Sequence, residues 1–229
     1  MSEEREFIVG GTYNWYDQNV AAGIDLIEAF IEQCEISNSF AITEYHKYKQ
    51  VEIEEYEHGA SISTHFRLID GDTFNAEDIM INVFPNMNRH STLVLIMSMF
   101  EKILKNLCDR VNTLFELNKP FKKVKPSLLL SIKYYLTNEA NLESNEILEK
   151  QWSDLMCLQS IRNNITHNFG YLEEGNKYVT RYIDNNKNLS LAEDNEFLLN
   201  HEFLKDLIPN FRSFCLELQQ AIRDKSKRN

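Results

Sequence analysis

The residues best suited to chemistry are Arg162 and His167, the first and last positions of the segment R-N-N-I-T-H. Histidine titrates near neutral pH, so His167 can accept or donate a proton. The fixed fork of N–H donors on Arg162 suits the non-bridging oxygens of a phosphate group. The pair therefore suits cleavage of a phosphodiester that carries its own nucleophile, as the 2′-hydroxyl of RNA does, and this chemistry requires no metal.

The spacing of the pair imposes a condition on Arg162. Positions five apart on an ideal helix point about 140° apart, so Arg162 must reach round the helix toward His167, or the helix must distort. Glu101 is the candidate acid for aiming Arg162, because apolar residues flank it at helical spacing. A solvated glutamate at the edge of an apolar stripe explains the same pattern. Arg162 and His167 also have a structural interpretation, in which Arg162 pairs with an acid at the helix end and His167 caps the last carbonyls.

The motif R-x4-H at a helix end, with Asn directly after the Arg, resembles the signature of the HEPN superfamily. The segment 99–108, M-F-E-K-I-L-K-N-L-C, resembles an earlier helix of that family's bundle, and the resemblance covers residues 85–229. It implies a mainly α fold, a HEPN-like bundle of four to five helices. It also implies a homodimer whose two motifs form one composite site, with metal-independent endoribonuclease activity and no cofactor. For this chain it implies that Arg162 and His167 are the catalytic pair and that Asn163 helps to hold them.

Phe169 stands where a subgroup of HEPN toxins has the tyrosine of R-x4-H-x-Y, to which a partner nucleotidyltransferase attaches nucleotides. Tyr171 lies two residues out of register, so that partner is not predicted. Because members of the superfamily commonly act as toxins or in antiviral defence, the resemblance implies an antitoxin or another defence-system protein as a partner.

The sequence contains none of the usual motifs for a metal site, a nucleotide site or a hydrolase site. The remaining histidines show no H-E-x-x-H or similar spacing, so no metal site is predicted. The chain has no Walker phosphate-binding loop, nucleophile elbow or dinucleotide-binding glycine motif, which removes the commonest nucleotide and hydrolase interpretations. The four cysteines are widely spaced without a C-x-x-C pair, so we expect reduced, buried side chains.

The long helices after position 85, with one short helix, are expected to build the bundle that positions the motif. Four long segments in all are amphipathic, because their apolar residues recur every three or four positions. They are 17–35, 85–117 (with Asn88 or Ser91 as N-cap), 143–169 and 201–223. Gly170 is expected to close the motif helix as a left-handed residue. A short helix should open at Pro126 or Ser127 and run through Tyr135.

The rest of the chain is less regular. The pattern predicts a helix over 40–57 and a strand within 61–69, while 177–183 favours a strand or a hairpin arm. The predicted organisation is an acidic N-terminal region, residues 1–84, of mixed helix with a short hairpin as an option, followed by the HEPN-like bundle, residues 85–229.

The net charge of −11 opposes an RNA partner, but the acid is unevenly distributed. Residues 1–84 hold 4 Lys+Arg against 17 Asp+Glu, whereas the remainder holds 20 against 18. Residues 102–133 contain eight Lys and Arg and two acids, so we predict that Lys119, Lys122, Lys123 and Lys125 bind RNA. Lysines that merely solvate helix ends and a loop would give the same pattern.

Two further functions remain open. The chain could be a non-catalytic module of the same fold that binds RNA, a nucleotide or a partner protein, since the acidic third would repel RNA. That third could also mimic nucleic acid and mask the basic stretch in cis. The N-terminus carries no export signal and the most apolar run, Leu93–Phe100, is too short to cross a bilayer, so a cytoplasmic protein with no membrane contact is expected.

Overall fold

The computed structural model describes residues 12–173 and 176–228, most of which are helical, and the predicted mainly α fold is confirmed. The helices are α1 (Ala21–Tyr48), α2 (Ala76–Asp78), α3 (Phe84–Leu114), α4 (Leu128–Tyr134), α5 (Glu146–His167), α6 (Lys177–Asp184) and α7 (Phe203–Arg228). The strands are β1 (Gln50–Tyr56), β2 (Gly59–His65), β3 (Leu189–Leu191) and β4 (Phe197–Leu199). Single π-helical turns occupy Tyr16–Val20, Ile79–Val83 and Tyr135–Glu139.

The four long helices α1, α3, α5 and α7 form an up-and-down bundle in which neighbours run antiparallel. On α3, for example, Glu101 contacts Arg162 of α5, while the earlier His90 lies beside Gly170 at the end of α5. The order around the bundle is α1, α3, α5, α7, so α1 and α5 lie across its diagonal. The side-chain pairs that join successive helices are Glu35–Arg89, Glu101–Arg162, Gln151–Ser213 and Glu28–Arg212.

Aromatic side chains fill the centre of the bundle. The rings of Phe100 and Phe211 stack with centroids 4.2 Å apart, and Trp152 meets Phe214 edge to face at 4.8 Å. All four side chains are at most 1% exposed. Burying each of them contributes about 1.5–3 kcal/mol, so this cluster fixes the relative heights of α3, α5 and α7.

The N-terminal third contributes to the same core. Five apolar residues before position 85, each at most 1% exposed, join one cluster with the later helices: Trp15, Val20, Ile24, Ile27 and Ile31. The fourth long helix of the bundle is therefore α1, and the bundle extends beyond the range 85–229 that the sequence indicated.

The short helices begin at side-chain caps. Ser127 Oγ accepts a hydrogen bond from the Leu130 N–H at 3.1 Å, which starts α4 where the sequence predicts it. Asn176 Oδ1 accepts from the Val179 N–H at 3.3 Å and starts α6. The prediction of a strand or hairpin arm over 177–183 is wrong, because Val179 and Ile183, four residues apart, are the positions that this segment buries.

Both sheets are two-stranded antiparallel hairpins. The helix predicted over 40–57 ends at Tyr48, because β1 alternates Val51 and Ile53 with glutamates and pairs Ile53 with Ile62 of β2. The second hairpin pairs Leu189 with Leu199 and was not predicted. No helix within the described ranges is long and apolar enough to cross a membrane.

Candidate functional site

The motif occupies the last two turns of α5. Asn145 caps the start of this helix by accepting a hydrogen bond from the Leu148 N–H at 2.8 Å, and the helix stays α-helical through His167. Because the helix does not distort, Arg162 and His167 keep the separation of about 140° that an ideal helix imposes.

Arg162 points toward α3. Its Nη2 donates to Glu101 Oε1 at 2.8 Å, and Gln159 Nε2 donates to the same oxygen at 2.7 Å. The side chains of Arg162 and Glu101 are only 19% and 9% exposed. The buried Arg162 Nε has no hydrogen-bond partner among the described residues. The acid suggested by the spacing of the sequence therefore contacts the arginine, and Gln159 is an additional member of this cluster.

His167 faces solvent at the last position of α5. Since Arg162 turns toward Glu101, it does not reach round the helix as the sequence required. Within one chain the structure does not bring the two motif residues together.

The two asparagines of the motif differ in their surroundings. Asn163 is exposed, whereas Asn164 is 6% exposed and forms hydrogen bonds through both the nitrogen and the oxygen of its side-chain amide. Asn164 Nδ2 donates to the Ser160 carbonyl at 2.8 Å, and its Oδ1 accepts from Asn168 Nδ2 and from the Glu173 N–H, each at 3.1 Å. Asn164 thus holds the motif against the segment that follows it, and the role of Asn163 stays a prediction.

A left-handed turn closes α5. The N–H groups of Asn168 and Gly170 both donate to the Asn164 carbonyl, at 2.8 and 3.2 Å. Phe169 has φ +55° and Gly170 has φ +91°, which confirms the predicted left-handed glycine. A Cβ atom at Gly170 would also lie 2.9 Å from the ring of His90, so both backbone angle and space require glycine.

His90 supports this turn from α3. Its Nε2 lies 2.9 Å from the Phe197 carbonyl, and burial lowers the pKa of the imidazole. A neutral ring with its proton on Nε2 can donate to that carbonyl. Asn86 Nδ2 donates to the same oxygen at 2.9 Å. Neither residue was predicted, because a polar group on an apolar helix face does not reveal its tertiary partner.

The basic stretch lies away from the motif. The Lys119 N–H donates to Asn112 Oδ1 at 3.0 Å, beside the end of α3 and eleven residues, or about 16 Å of helix, beyond Glu101. The Lys119 ammonium pairs with Glu139 at 2.6 Å, whereas Lys122 is exposed. Lys123 is likewise exposed, and Lys125 Nζ lies 4.6 Å from the centre of the Tyr134 ring. The structure thus separates the predicted RNA-binding lysines from Arg162.

One group of metal-ligand residue types follows β2. Within the described part of the chain, His65, Asp70 and Asp72 lie together, with one ligand atom of each within 4.8 Å of the others. Turn hydrogen bonds explain the arrangement: Asp70 accepts from the Asp72 N–H at 3.1 Å and from Thr73 Oγ1 at 2.9 Å. These bonds lower the pKa of the Asp70 carboxyl group. The group lies beside the first hairpin, not beside the motif.

No protein-family model, curated protein or solved structure matches this chain. The resemblance to HEPN proteins stays a prediction, carried by the segments 99–108 and 162–167.

Proposed function

We propose that the chain is a metal-independent endoribonuclease of HEPN type, which cleaves RNA at a composite site formed by two copies. Its role is that of a cytoplasmic toxin or antiviral-defence effector, with an antitoxin or another defence-system protein as partner. One observation carries the proposal: an exposed His167 and a Glu101-held Arg162 share one helix end but point to different sides. A two-fold axis beside this end would bring His167 of one copy toward Arg162 of the other.

The chemistry follows from these two side chains. A base takes the proton of the 2′-hydroxyl, its oxygen attacks phosphorus, and the bond to the 5′-oxygen breaks as that oxygen gains a proton. The products are a 2′,3′-cyclic phosphate and a 5′-hydroxyl, so this step consumes no water and no cofactor. His167 moves the protons, and Arg162 stabilises the extra negative charge on the non-bridging oxygens.

The test is cleavage of an end-labelled single-stranded RNA in the presence of a chelator. We expect His167→Ala to lower the rate by about a hundredfold or more, the usual loss when a general acid or base is removed. His201→Ala is the matched control, since this histidine is also exposed and lies outside the motif. An RNA with a 2′-deoxy sugar at the preferred position should resist the normal protein. Equal rates for the normal protein and His167→Ala, or no cleavage by either, would overturn the proposal.

The burial of Arg162 favours a second candidate, a non-catalytic module of the same fold that binds RNA, a nucleotide or a protein. An arginine that is 19% exposed and paired with a buried glutamate also serves a purely structural role. If the normal protein binds RNA without cleaving it, and Arg162→Ala unfolds the chain, this second function holds.

A further inference from the structure

A groove of about 440 Å³ follows the exposed side of α5 between α4 and α6. Lys133 of α4 lies at one wall and Tyr178 of α6 at the other. The floor consists of α5 residues spaced by three or four positions, and these are Glu149, Trp152, Ser153, Met156, Cys157 and Ser160. Asn176 closes the α6 side by donating from Nδ2 to Ser160 Oγ at 3.0 Å.

The floor of the groove is aligned with His167 along α5. Eighteen residues separate Glu149 from His167, which is about five helical turns, so the two side chains leave α5 in the same direction. Ser160 lies on the same line, and the path along the helix is about 27 Å long. Arg162 is on the other side of α5, against Glu101. Of the two motif residues, His167 is the one that lies in line with the groove floor.

Two largely exposed aromatic side chains belong to the elements that border this path. Tyr178 is 82% exposed at the groove wall, and Phe169 is 90% exposed just beyond His167. Phe169 also has a left-handed backbone, which is unfavourable for a bulky residue. The surrounding turn holds it there through the bonds to the Asn164 carbonyl, although no packing of the ring compensates for the strain. Strain of this kind concentrates at binding and catalytic sites.

Lysines lie on α4, which forms one wall of the groove, and in the segment that precedes α4. Lys133 pairs with Glu149 at 2.6 Å, so its charge is largely neutralised. Lys122 and Lys123 are exposed in the segment before α4 and form no ion pair with the described residues, so they remain free to meet phosphates. The segment before α4 thus offers unpaired cations, and α5 links a groove with an exposed aromatic wall to the proton-transfer group His167.

We propose that this groove is the binding track of single-stranded RNA, with bases stacked on Tyr178 and Phe169 and with a phosphate at His167. Stacking on exposed rings requires unpaired bases, which selects single strands over duplexes. The identity of the ligand rests on the proposed function, and the groove supplies the part of the substrate site that lies outside the motif.

Binding is measured by fluorescence anisotropy with a labelled single-stranded RNA and full-length protein that carries His167→Ala, so that the ligand stays intact. We expect Tyr178→Ala and Phe169→Ala each to raise the Kd by about tenfold, the effect of one lost base stack. The matched controls are Tyr48→Ala and Phe40→Ala on α1, which replace aromatic side chains that are 55% and 64% exposed. They should bind like the parent. A duplex of the same sequence should compete poorly.

The outcomes separate this inference from the proposed function. If the groove variants bind RNA like the controls while the normal protein cleaves it, the track is wrong and the nuclease stands. If they lose binding but the normal protein never cleaves, the track stands and the nuclease is wrong. Absence of RNA binding by the parent overturns the track. The same holds if the two changes alter only the oligomeric state in light scattering, because the rings would then belong to a protein interface.

Discussion

Glu101 accepts two hydrogen bonds on one oxygen, from Arg162 and Gln159, in a place almost closed to water. Glu149 forms an ion pair with Lys133 that is shorter, at 2.6 Å, but its side chain is 48% exposed. Burial decides which pair contributes more to stability. Water screens an exposed ion pair and solvates its partners when the pair is broken, whereas it cannot reach a buried charge that has lost its partner. We expect Glu101→Gln to lower the free energy of unfolding by about 1.5–3 kcal/mol and Glu149→Gln by less than about 1 kcal/mol.

Urea denaturation of the two variants measures this difference. Both substitutions keep the shape of the side chain and remove one negative charge, so each controls for the other. Equal losses of stability would show that the Glu101 contact is no stronger than a surface ion pair. In that case Glu101 would not hold Arg162 rigidly enough to aim it.

The sequence indicated part of this site and missed the rest for a physical reason. Helical spacing alone suggested Glu101, because an acid on an apolar flank is costly to bury without a partner. Gln159 lies just before the motif and Asn164 lies within it, yet their roles depend on hydrogen-bond partners that only the folded chain brings close. His90 lies more than seventy positions before His167, so no local pattern connects it with the turn that it supports.

At the scale of elements, the segment that joins α3 to α4 should bind phosphates through its unpaired lysines. We expect the double change Lys122→Gln with Lys123→Gln to reduce the salt dependence of RNA binding, by about 0.7 in the slope of log K against log salt for each lysine. Such a change weakens binding similarly for all RNA sequences, because phosphates carry no sequence information.

The control removes the same charge elsewhere, as Lys47→Gln with Lys49→Gln at the end of α1, across the bundle from α5. Titrations of the His167→Ala protein at several salt concentrations give the slopes. If both double variants change the slope equally, net charge governs binding and the segment before α4 has no special part in it.

The long helices were predictable because each buries apolar residues that recur at the helical period over many turns. The α4 start at Ser127 was also predictable, since a capping serine after a proline is a local signal. The prediction for 177–183 was wrong because the short pattern of apolar and polar residues fits both the strand period and the helix period. Contacts with α5 favour the helix. Of the hairpin formed by β1 and β2, the sequence predicted the second strand and assigned the first to a helix.

At the scale of the whole molecule, the charge distribution restricts how RNA can approach. Asn88 donates to Asn38 at 2.7 Å, so α1 continues past the start of α3 and carries the first hairpin beyond the end of the bundle that holds His167. Strand β1 and the turn after it are rich in glutamate, and exposed acids repel phosphates. The unpaired lysines follow the other end of α3, so repulsion of phosphates is weaker at that end of the bundle.

The proposed dimer would let the two motif residues act together, because each α5 directs them to different sides. If His167 of one copy acts with Arg162 of the other, neither Arg162→Ala nor His167→Ala homodimers contain an intact pair. A mixed dimer contains one. Random exchange makes about half of the dimers mixed, with one of two sites intact, so an equal mixture should recover about a quarter of the normal cleavage rate.

The measurement is cleavage after the two purified variants are mixed at a concentration that permits subunit exchange, with each variant alone as the control. Two residues that act within one chain would leave every mixed dimer without an intact pair, and the mixture would stay inactive. The size of the recovery therefore distinguishes a site shared between copies from a site within one copy. Recovery requires both that the chain dimerises and that the faces bearing Arg162 and His167 meet.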